Sequence, residues 1–549
     1  MPSAFPEAVL SAILAVSIVD DSTNNIAREV SCRRTFAIIS HPDAGKTTLT
    51  EKILLFGGSV REAGAVRAQK ARRHATSDWL EIERQRGISV SSSVLHANWQ
   101  GNRINILDTP GHRDFSEDTY RTLIAADSAV MLIDSAKGVE GQTRKLFEVC
   151  RLRGIPIFTF INKMDRDGRD PFDLLSEIED VLGIESMPLD WPIGSGREFR
   201  GVYDRIGSRV LLFSGGRHGT IEVDEDVITG GLDTPAVQRA MGSHAAQVVE
   251  SLALLDGAGA SFDPARVAAG LQTPVFFGSA LTNFGVRPFL ERFVELAPCP
   301  TPRRAGEDTI DPASSAFSGF VFKIQANMDP GHRDRIAFLR ICSGSFEPGM
   351  NVVHQRTGRT MRLARSTLLM GRERIEAEEA FPGDVVGLFD PGIFQIGDTL
   401  SARGGVDFPA FPVFAPEHFM RVEVGLVARR KALSKGLEQL SQEGAIQLFN
   451  DADGLGSTIL GAVGQLQFDV LKHRLASEYD VELRLSPLSF TVARWPSGAF
   501  DPALVRHSRA TCLVYDRKQK PVLLSDGLNF LRRLVDDNPG LTLSETPPA

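Results

Sequence analysis

Cysteine is scarce in this chain of 549 residues, and what there is forms no pattern. The five cysteines, Cys32, Cys150, Cys299, Cys342 and Cys512, are scattered and include no CxxC pair. That argues against a disulfide framework or a structural zinc site and for a reducing compartment. Long apolar runs are also missing. The longest near the N-terminus, residues 8–19 (A-V-L-S-A-I-L-A-V-S-I-V), is too short to cross a bilayer. Glu7 precedes it and two aspartates follow, so it lacks the basic flank of a signal peptide. The expectation is a cytoplasmic protein with no membrane contact, whose first 25 or so residues form a loose, dispensable extension. A positive charge excess is the third absence. The formal net charge is −8, so RNA binding would have to come from local basic patches. Hydrophobic content of 42% and charged content of 24% are ordinary for a globular protein, and the length suits three or four domains.

What the chain does have begins at residues 35–48, T-F-A-I-I-S-H-P-D-A-G-K-T-T. Residues 36–39 form an apolar run that reads as a buried strand. The following S-H-P-D-A-G-K-T keeps the spacing of a phosphate-binding P-loop, with Ser40 where the first glycine usually stands. Gly45 has no Cβ to hold a phosphate off. The amides from Asp43 to Thr47 can converge on an anion at the start of a helix that runs on through Leu49, Ile53 and Leu54. Lys46 can reach the β and γ phosphates, and the Thr47 hydroxyl can hold Mg²⁺. The candidate phosphate-binding residues are therefore Ser40, His41, Pro42, Asp43, Ala44, Gly45, Lys46, Thr47 and Thr48. A chance Gly-Lys-Thr at a strand–helix turn competes with this reading until the later motifs are counted.

Residues 61–74 are polar and basic, with Lys70, Arg72, Arg73 and His74, and lead into S-D-W-L-E-I-E-R-Q-R-G-I-S at 77–89. This suits a switch segment in which Ser89 offers Mg²⁺ a second hydroxyl only when a γ-phosphate is present. An apolar run at 104–107 ends in D-T-P-G-H: Asp108, Thr109, Pro110, Gly111 and His112. Asp108 can bind Mg²⁺ through water, the Gly111 amide can sense the γ-phosphate, and the His112 imidazole can orient an attacking water as the catalytic group. Residues 129–134 are another buried strand, and I-F-T-F-I-N-K-M-D at 157–165 ends a further one with Asn162, Lys163, Met164 and Asp165. The Asp165 carboxylate can accept both N1–H and the exocyclic amine of guanine, a donor pair that adenine lacks. Asn162 can bond the base, and the Lys163 stem can cover the ring. The strand at 273–277 leads to Ser279, Ala280 and Leu281, a turn whose amide can meet guanine O6. Five such motifs in this order, each after an apolar strand, point to a guanine-specific P-loop switch on a doubly wound, mostly parallel sheet.

The rest of the chain divides by pattern. A polar, glycine-rich stretch at about 183–270 reads as a subdomain inserted in the GTPase domain, which itself covers about 31–300 after an extension of 1–30. P-C-P-T-P-R-R at 298–304 marks a linker. Short strands and turns over 316–403 predict a β-barrel domain, bounded at about 301–405. From residue 419 the order βαββαβ predicts a ferredoxin-like α+β domain over about 406–549, with a mixed stretch after 497 and a frayed, proline-rich end.

Four runs carry a family resemblance: R-R-T-F-A-I-I-S-H-P-D-A-G-K-T-T, S-D-W-L-E-I-E-R-Q-R-G-I-S, D-T-P-G-H-R-D-F-S-E-D-T-Y-R-T-L and G-A-V-G-Q-L-Q-F-D-V. Together they resemble the translational GTPases, and within them the bacterial peptide-chain release factor 3 family, over residues 26–495. Ser40 for glycine and Ser89 for the threonine of many relatives are consistent with that branch. The resemblance implies GTP hydrolysis to GDP with Mg²⁺, and action as a monomer on the 70S ribosome after a class 1 release factor has freed the peptide. GTP binding would drive the class 1 factor off, ribosomal RNA would swing His112 to the attacking water, and no DNA would be bound. An elongation factor G type of protein would share the first domains but be longer. A GTPase regulating a metabolic enzyme would show little ribosome stimulation. A scaffold with a dead nucleotide site would lack Lys46, Asp108 or Asp165, all of which are present.

Overall fold

The computed structural model describes residues 24–58, 92–213, 225–259, 261–326, 335–363, 366–370, 373–376, 378–423, 429–451, 458–498, 501, 505 and 510–546. The 8–19 run, the basic stretch at 61–74 and the 77–89 segment with Ser89 lie outside them.

Strand β1 (Arg33–Ser40) turns Phe36 and Ile38 to one apolar core and Ala37 and Ile39 to another, and all four are fully buried. A strand apolar on both faces is stable only with helices on both sides. Helix α1 (Lys46–Phe56) covers the Phe36 side. Strands β2 (Ser93–Trp99) and β3 (Asn102–Asp108) follow, then α2 (Ser116–Ala125), β4 (Ser128–Asp134), α3 (Gly141–Leu152), β5 (Ile157–Asn162) and α4 (Pro171–Leu182). Helices α2, α3 and α4 pack on the Ala37 side through Leu123, Leu146, Phe147, Leu174 and Ile178.

The inserted stretch does not form one separate body. Its first strand, β6 (Glu185–Pro188), joins the main sheet, while β7 (Asp190–Ile193), β8 (Gly201–Asp204), β9 (Arg209–Phe213) and β10 (Glu225–Thr229) make an antiparallel sheet of their own. The cause is a change of face within M-P-L-D-W-P-I. Met187 and Leu189 bury on the Phe36 side, and Trp191 and Ile193 on the other. Helices α5 (Pro235–Met241), α6 (Ala245–Gly257) and α7 (Pro264–Ala268) lead back to β11 (Gln272–Phe277) and α8 (Val286–Leu296). The main sheet runs β2-β3-β1-β4-β5-β11-β6, with only β2 antiparallel to its neighbour. Phe36, Phe158 and Phe160 on the sheet meet Phe289 and Phe293 of α8 edge-on at 4.6–5.2 Å, a favourable aromatic geometry.

The proline-marked segment at 298–304 is held in place. Arg303 donates to the carbonyls of Ile124 (2.6 Å) and Ala126 (3.0 Å) and meets Asp127 at 3.1 Å. It opens the hairpin β12 (Arg303–Ala305) and β13 (Asp308–Ile310). The second unit has β14 (Ser318–Ala326), β15 (Arg335–Ser343), β16 (Asn351–His354), β17 (Arg359–Arg362), β18 (Ser366–Met370), β19 (Glu373–Glu376), β20 (Val385–Phe389) and β21 (Thr399–Ser401). They pair antiparallel in the order β17-β16-β21-β14-β15-β20-β18-β19 around Val321, Ile324, Leu339, Ile341 and Leu388.

The third unit follows the expected order: β22 (His418–Glu423), α9 (Arg430–Gln442), β23 (Gln447–Asp451), β24 (Thr458–Ala462), α10 (Leu466–Tyr479) and β25 (Arg484–Pro487). Its strands lie β25-β22-β24-β23, and Leu437, Leu440, Leu471 and Leu475 fill the space between sheet and helices. The mixed stretch after 497 carries regular elements as far as residue 546, and the proline-rich end at 547–549 lies outside the described residues. Strands β26 (Val492–Ser497), β27 (Thr511–Asp516), β28 (Pro521–Ser525) and β29 (Thr542–Ser544), with helix α11 (Leu528–Asp536), extend the same sheet beyond β23. Trp495, Val514, Val522 and Leu524 bury against Phe419 and Phe449, which gives the extension its own core.

Candidate active site

Four of the sequence motifs start where a strand of the main sheet stops: β1 at Ser40, β3 at Asp108, β5 at Asn162 and β11 at Phe277. They therefore share the edge of the sheet where the strand order reverses around β1, the place where open α/β sheets bind ligands. The P-loop turns sharply there. Asp43 has φ +67° and Gly45 φ +101°, and no side chain caps the first turn of α1. Its leading amides are therefore not satisfied by a side-chain cap, the arrangement that receives a phosphate. Glycine is required at 45 on two counts, the positive φ and a hypothetical Cβ only 2.4 Å from Asn162 Nδ2.

Lys46 Nζ lies 2.7 Å from Asp108 Oδ1, with both side chains buried, so the P-loop cation and the β3 carboxylate face one point. Thr109 donates its hydroxyl to Ile38 O at 2.6 Å, which ties the D-T-P-G-H turn to β1. Gly111 lies against Pro42 of the P-loop. His41 Nδ1 is 2.9 Å from Glu140 Oε2. His112 is one-third exposed, and its Nδ1 accepts the backbone N–H of Asp114 at 3.2 Å. With Nδ1 as acceptor, the proton of the neutral ring sits on Nε2. Thr47 and Thr48 are half-buried on the first turn of α1.

Beyond the end of β5, Ser279 Oγ donates to Asp165 Oδ1 at 2.6 Å and fixes that carboxylate. The Asn162 amide, expected on the base, is engaged within the protein. Its Nδ2 donates to Ala44 O and its Oδ1 accepts from Ala280 N, each at 2.8 Å. It thus clamps the P-loop to the 279–281 turn. Lys163 has φ +69°, and its Nζ donates to Asp43 O (2.5 Å) and Asp134 Oδ2 (2.7 Å). Met164 is buried and donates its amide to Gly278 O at 3.1 Å. Leu281 stands partly exposed at the turn.

Residues 31–299 match the elongation factor Tu GTP binding domain, 316–403 match elongation factor G domain 2, and 408–532 match the C-terminal domain of class II release factor RF3. Proteins named peptide chain release factor 3 are similar along the whole chain. That of Symbiobacterium thermophilum is 54% identical over 96% of this chain and 100% of its own length. Those of Listeria innocua (52%; 95% and 99%) and Gloeothece citriformis (50%; 95% and 97%) follow. The chain belongs to the peptide chain release factor 3 family. It is a guanine-nucleotide-binding translational GTPase of termination. The crystal structure of ttk003000868 from Thermus thermophilus shares the fold, with a TM-score of 0.68 at 24% identity over 86% of this chain and 71% of that one.

Two residues of this release factor family member escaped the sequence reading. Asp134 ends β4 and holds Lys163, and Glu140 meets His41. Burial alone would raise the Asp134 carboxyl, but hydrogen bonds from Lys163 and the Ala136 amide outweigh it and hold the group below the usual carboxylate range. Its position at a strand end beside the other motifs was the available signal. Among the described residues, no helix is long and apolar enough to cross a membrane.

Proposed function

We propose that this protein hydrolyses GTP on the 70S ribosome, as a cytoplasmic monomer, to remove class 1 release factors after peptide release and so recycle them. The observation that carries the reading is the clamp at Asn162, which joins the phosphate loop at Ala44 to the base-reading turn at Ala280. A site built this way responds to both ends of one guanine nucleotide. Asp165, steadied by Ser279, accepts from the guanine edge, the Lys163 stem lies along the ring, and an amide of the 279–281 turn meets O6. The amides of Asp43 to Thr47 and the Lys46 ammonium take the phosphates.

The Thr47 hydroxyl and Asp108 suit Mg²⁺, which keeps most of its waters and needs only one or two protein ligands beside phosphate oxygens. When bound, Mg²⁺ neutralises charge between the β and γ phosphates. Ser89 is the proposed second hydroxyl of the GTP-bound state. His112 orients the attacking water through Nε2, and Gly111 senses the γ-phosphate. Ribosomal RNA assembles this geometry, and the chemistry itself stays the same.

The test is single-turnover GTP hydrolysis with and without saturating 70S ribosomes, beside a nucleotide-binding titration. Wild type should be slow alone and fast on ribosomes. His112→Ala should bind GTP normally, since a group that acts only in the transition state adds little to ground-state affinity. Its hydrolysis should fall by roughly 10²–10³. A mutant that hydrolyses like wild type would remove His112 from the mechanism, and an equal loss of GTP affinity would make it structural.

A further inference from the structure

Two of the runs behind the family resemblance, D-T-P-G-H-R-D-F at 108–115 and G-A-V-G-Q-L-Q-F-D-V at 461–470, are far apart in sequence. The first carries His112. Nothing in GTP hydrolysis calls for the second, which sits in the third unit at the start of α10. In the structure the two runs meet. Asp114 is buried, and its Oδ2 accepts the backbone N–H of Leu466, the first residue of α10, at 2.8 Å. Its Oδ1 lies 3.3 Å from His112 Nδ1. Asp114 thus holds the imidazole through its backbone N–H, which donates to Nδ1 at 3.2 Å, and another domain through its carboxylate.

The local sequence is shaped for this contact. A Cβ on residue 464 would fall 2.0 Å from Asp114 Cγ and 2.3 Å from Asp114 Cβ. Gly464 does not have a positive φ, so space at Asp114, and not backbone conformation, demands the glycine. Gln467 braces the turn. Its Oε1 accepts from Gly464 N at 3.0 Å and its Nε2 donates to Ala445 O at 2.9 Å. In α2, Arg121 lies over Gly444, where both the positive φ of +78° and the nearness of the guanidinium favour glycine. The segment after His112 is therefore seated on the third unit at two places without side chains.

We propose that Asp114 is a positioning residue that makes the orientation of His112, and hence the rate of GTP hydrolysis, depend on how α10 of the third unit is seated. This rests on the catalytic role proposed for His112. A displacement of α10 removes the Leu466 amide from Oδ2. Asp114 then shifts, and its backbone N–H leaves His112 Nδ1. The state of the third unit is read at the water-orienting ring. Such coupling needs only a contact that differs between two arrangements.

Gly464→Ala tests this, because it wedges the contact from outside the GTPase domain in a backbone that tolerates alanine. The full-length wild type, Gly464→Ala, Asp114→Gly, the double variant, Asp114→Asn and His112→Ala are compared. The readouts are single-turnover hydrolysis on saturating ribosomes and affinity for GTP and GDP. Gly464→Ala and Asp114→Gly should each slow hydrolysis about a hundredfold, the cost of misplacing a reacting group by about 1 Å, with nucleotide affinity unchanged. In the double variant the wedge has nothing left to displace, so its rate should match Asp114→Gly alone. Asp114→Asn keeps an acceptor for Leu466 and should recover most of the rate. Full multiplication of the two losses, wild-type rates in Gly464→Ala, or a parallel fall in GTP affinity would each overturn the proposal. A His112→Ala protein at wild-type rate would instead bring down the reading of His112. Slow His112→Ala beside fast Gly464→Ala would bring down the positioning role alone.

Discussion

Asp165 and Asp134 are both carboxylates beside the proposed base-binding turn, and their partners separate their tasks. Asp165 has one oxygen steadied by the Ser279 hydroxyl and is half-buried, with room to meet a ligand. Asp165→Asn replaces an acceptor with a donor, so GTP should bind more weakly and xanthosine triphosphate, with a carbonyl at C2, more tightly. Competition binding of GTP, ATP and XTP reads this, and equal wild-type affinity for ATP and GTP would refute the guanine assignment. Asp134 instead holds the Lys163 ammonium across from Asp43 O. Asp134→Asn should weaken GTP and GDP alike, by about 1.5–3 kcal/mol, the range for a hydrogen bond to a charged group. A loss confined to GTP would contradict a role at the base. The first role is proposed from N-K-M-D alone because donor and acceptor chemistry is local. The second was not legible, because nothing in A-V-M-L-I-D says that its last residue faces a lysine 29 positions on. The partners of Asn162 in the structure, Ala44 and Ala280, likewise come from loops 118 residues away on either side, which no local pattern reports.

At the scale of elements, period and strand order were legible where each element buries one clear face. The βαββαβ order of the third unit followed from Leu437 and Leu440 on one helix and Leu471 and Leu475 on the other. The strands after residue 497 were harder, because their burial depends on Phe419 and Phe449 from β22 and β23, a contact no local pattern reports. Strand β2 shows a titration consequence of burial. His96 donates from Nδ1 to Asn105 Oδ1 at 2.6 Å, with Arg103, Asp384 and Arg33 as its charged neighbours. Burial and Arg103 push the imidazole down to about 4 from 6.5, although Asp384 pulls the other way. The unfolded chain therefore takes up this proton first as the pH falls. The associated stability is complete above about 6.5 and is lost as the pH drops towards 4. About 2 kcal/mol should go between pH 7 and pH 5. Glu225, pushed up to about 7 mainly by burial, works in the opposite sense, so the readout is a difference. Urea denaturation of His96→Asn, which keeps a donor for Asn105, should show a flatter pH dependence than wild type by that amount. Parallel curves would mean that His96 does not titrate in this window.

At the scale of the whole molecule, the first and second units are joined by a buried polar lock at the end of β1 opposite the P-loop. Asp384 accepts from Arg33 Nε at 2.9 Å, Asn105 Nδ2 at 3.1 Å and Phe381 N at 3.0 Å, with Arg103 Nε at 3.3 Å. Beside it, Gly383 O accepts from Thr35 Oγ1 and Arg340, each at 2.8 Å. Burial would raise the Asp384 carboxyl, but Arg33, Arg103 and the Phe381 amide hold it below the usual range. Removing one partner of a buried ion pair leaves the other charged and desolvated, at about 3–5 kcal/mol. Asp384→Ala should therefore destabilise the junction by about that much. Asp384→Asn, which keeps the hydrogen-bonding shape, should cost less. Nucleotide affinity should stay near wild type in both, because Arg33 and Ser40 lie at opposite ends of an eight-residue strand, roughly 23 Å apart. Denaturant unfolding with limited proteolysis of the 298–316 connection separates the possibilities. Earlier cleavage and a lower midpoint with intact GTP binding mean that the lock holds the two units together. An unchanged midpoint would show that the contacts of Arg303 with Ile124, Ala126, Asp127 and the Phe320 ring suffice without it. A fall in GTP affinity would show that the junction is transmitted along β1 to the P-loop.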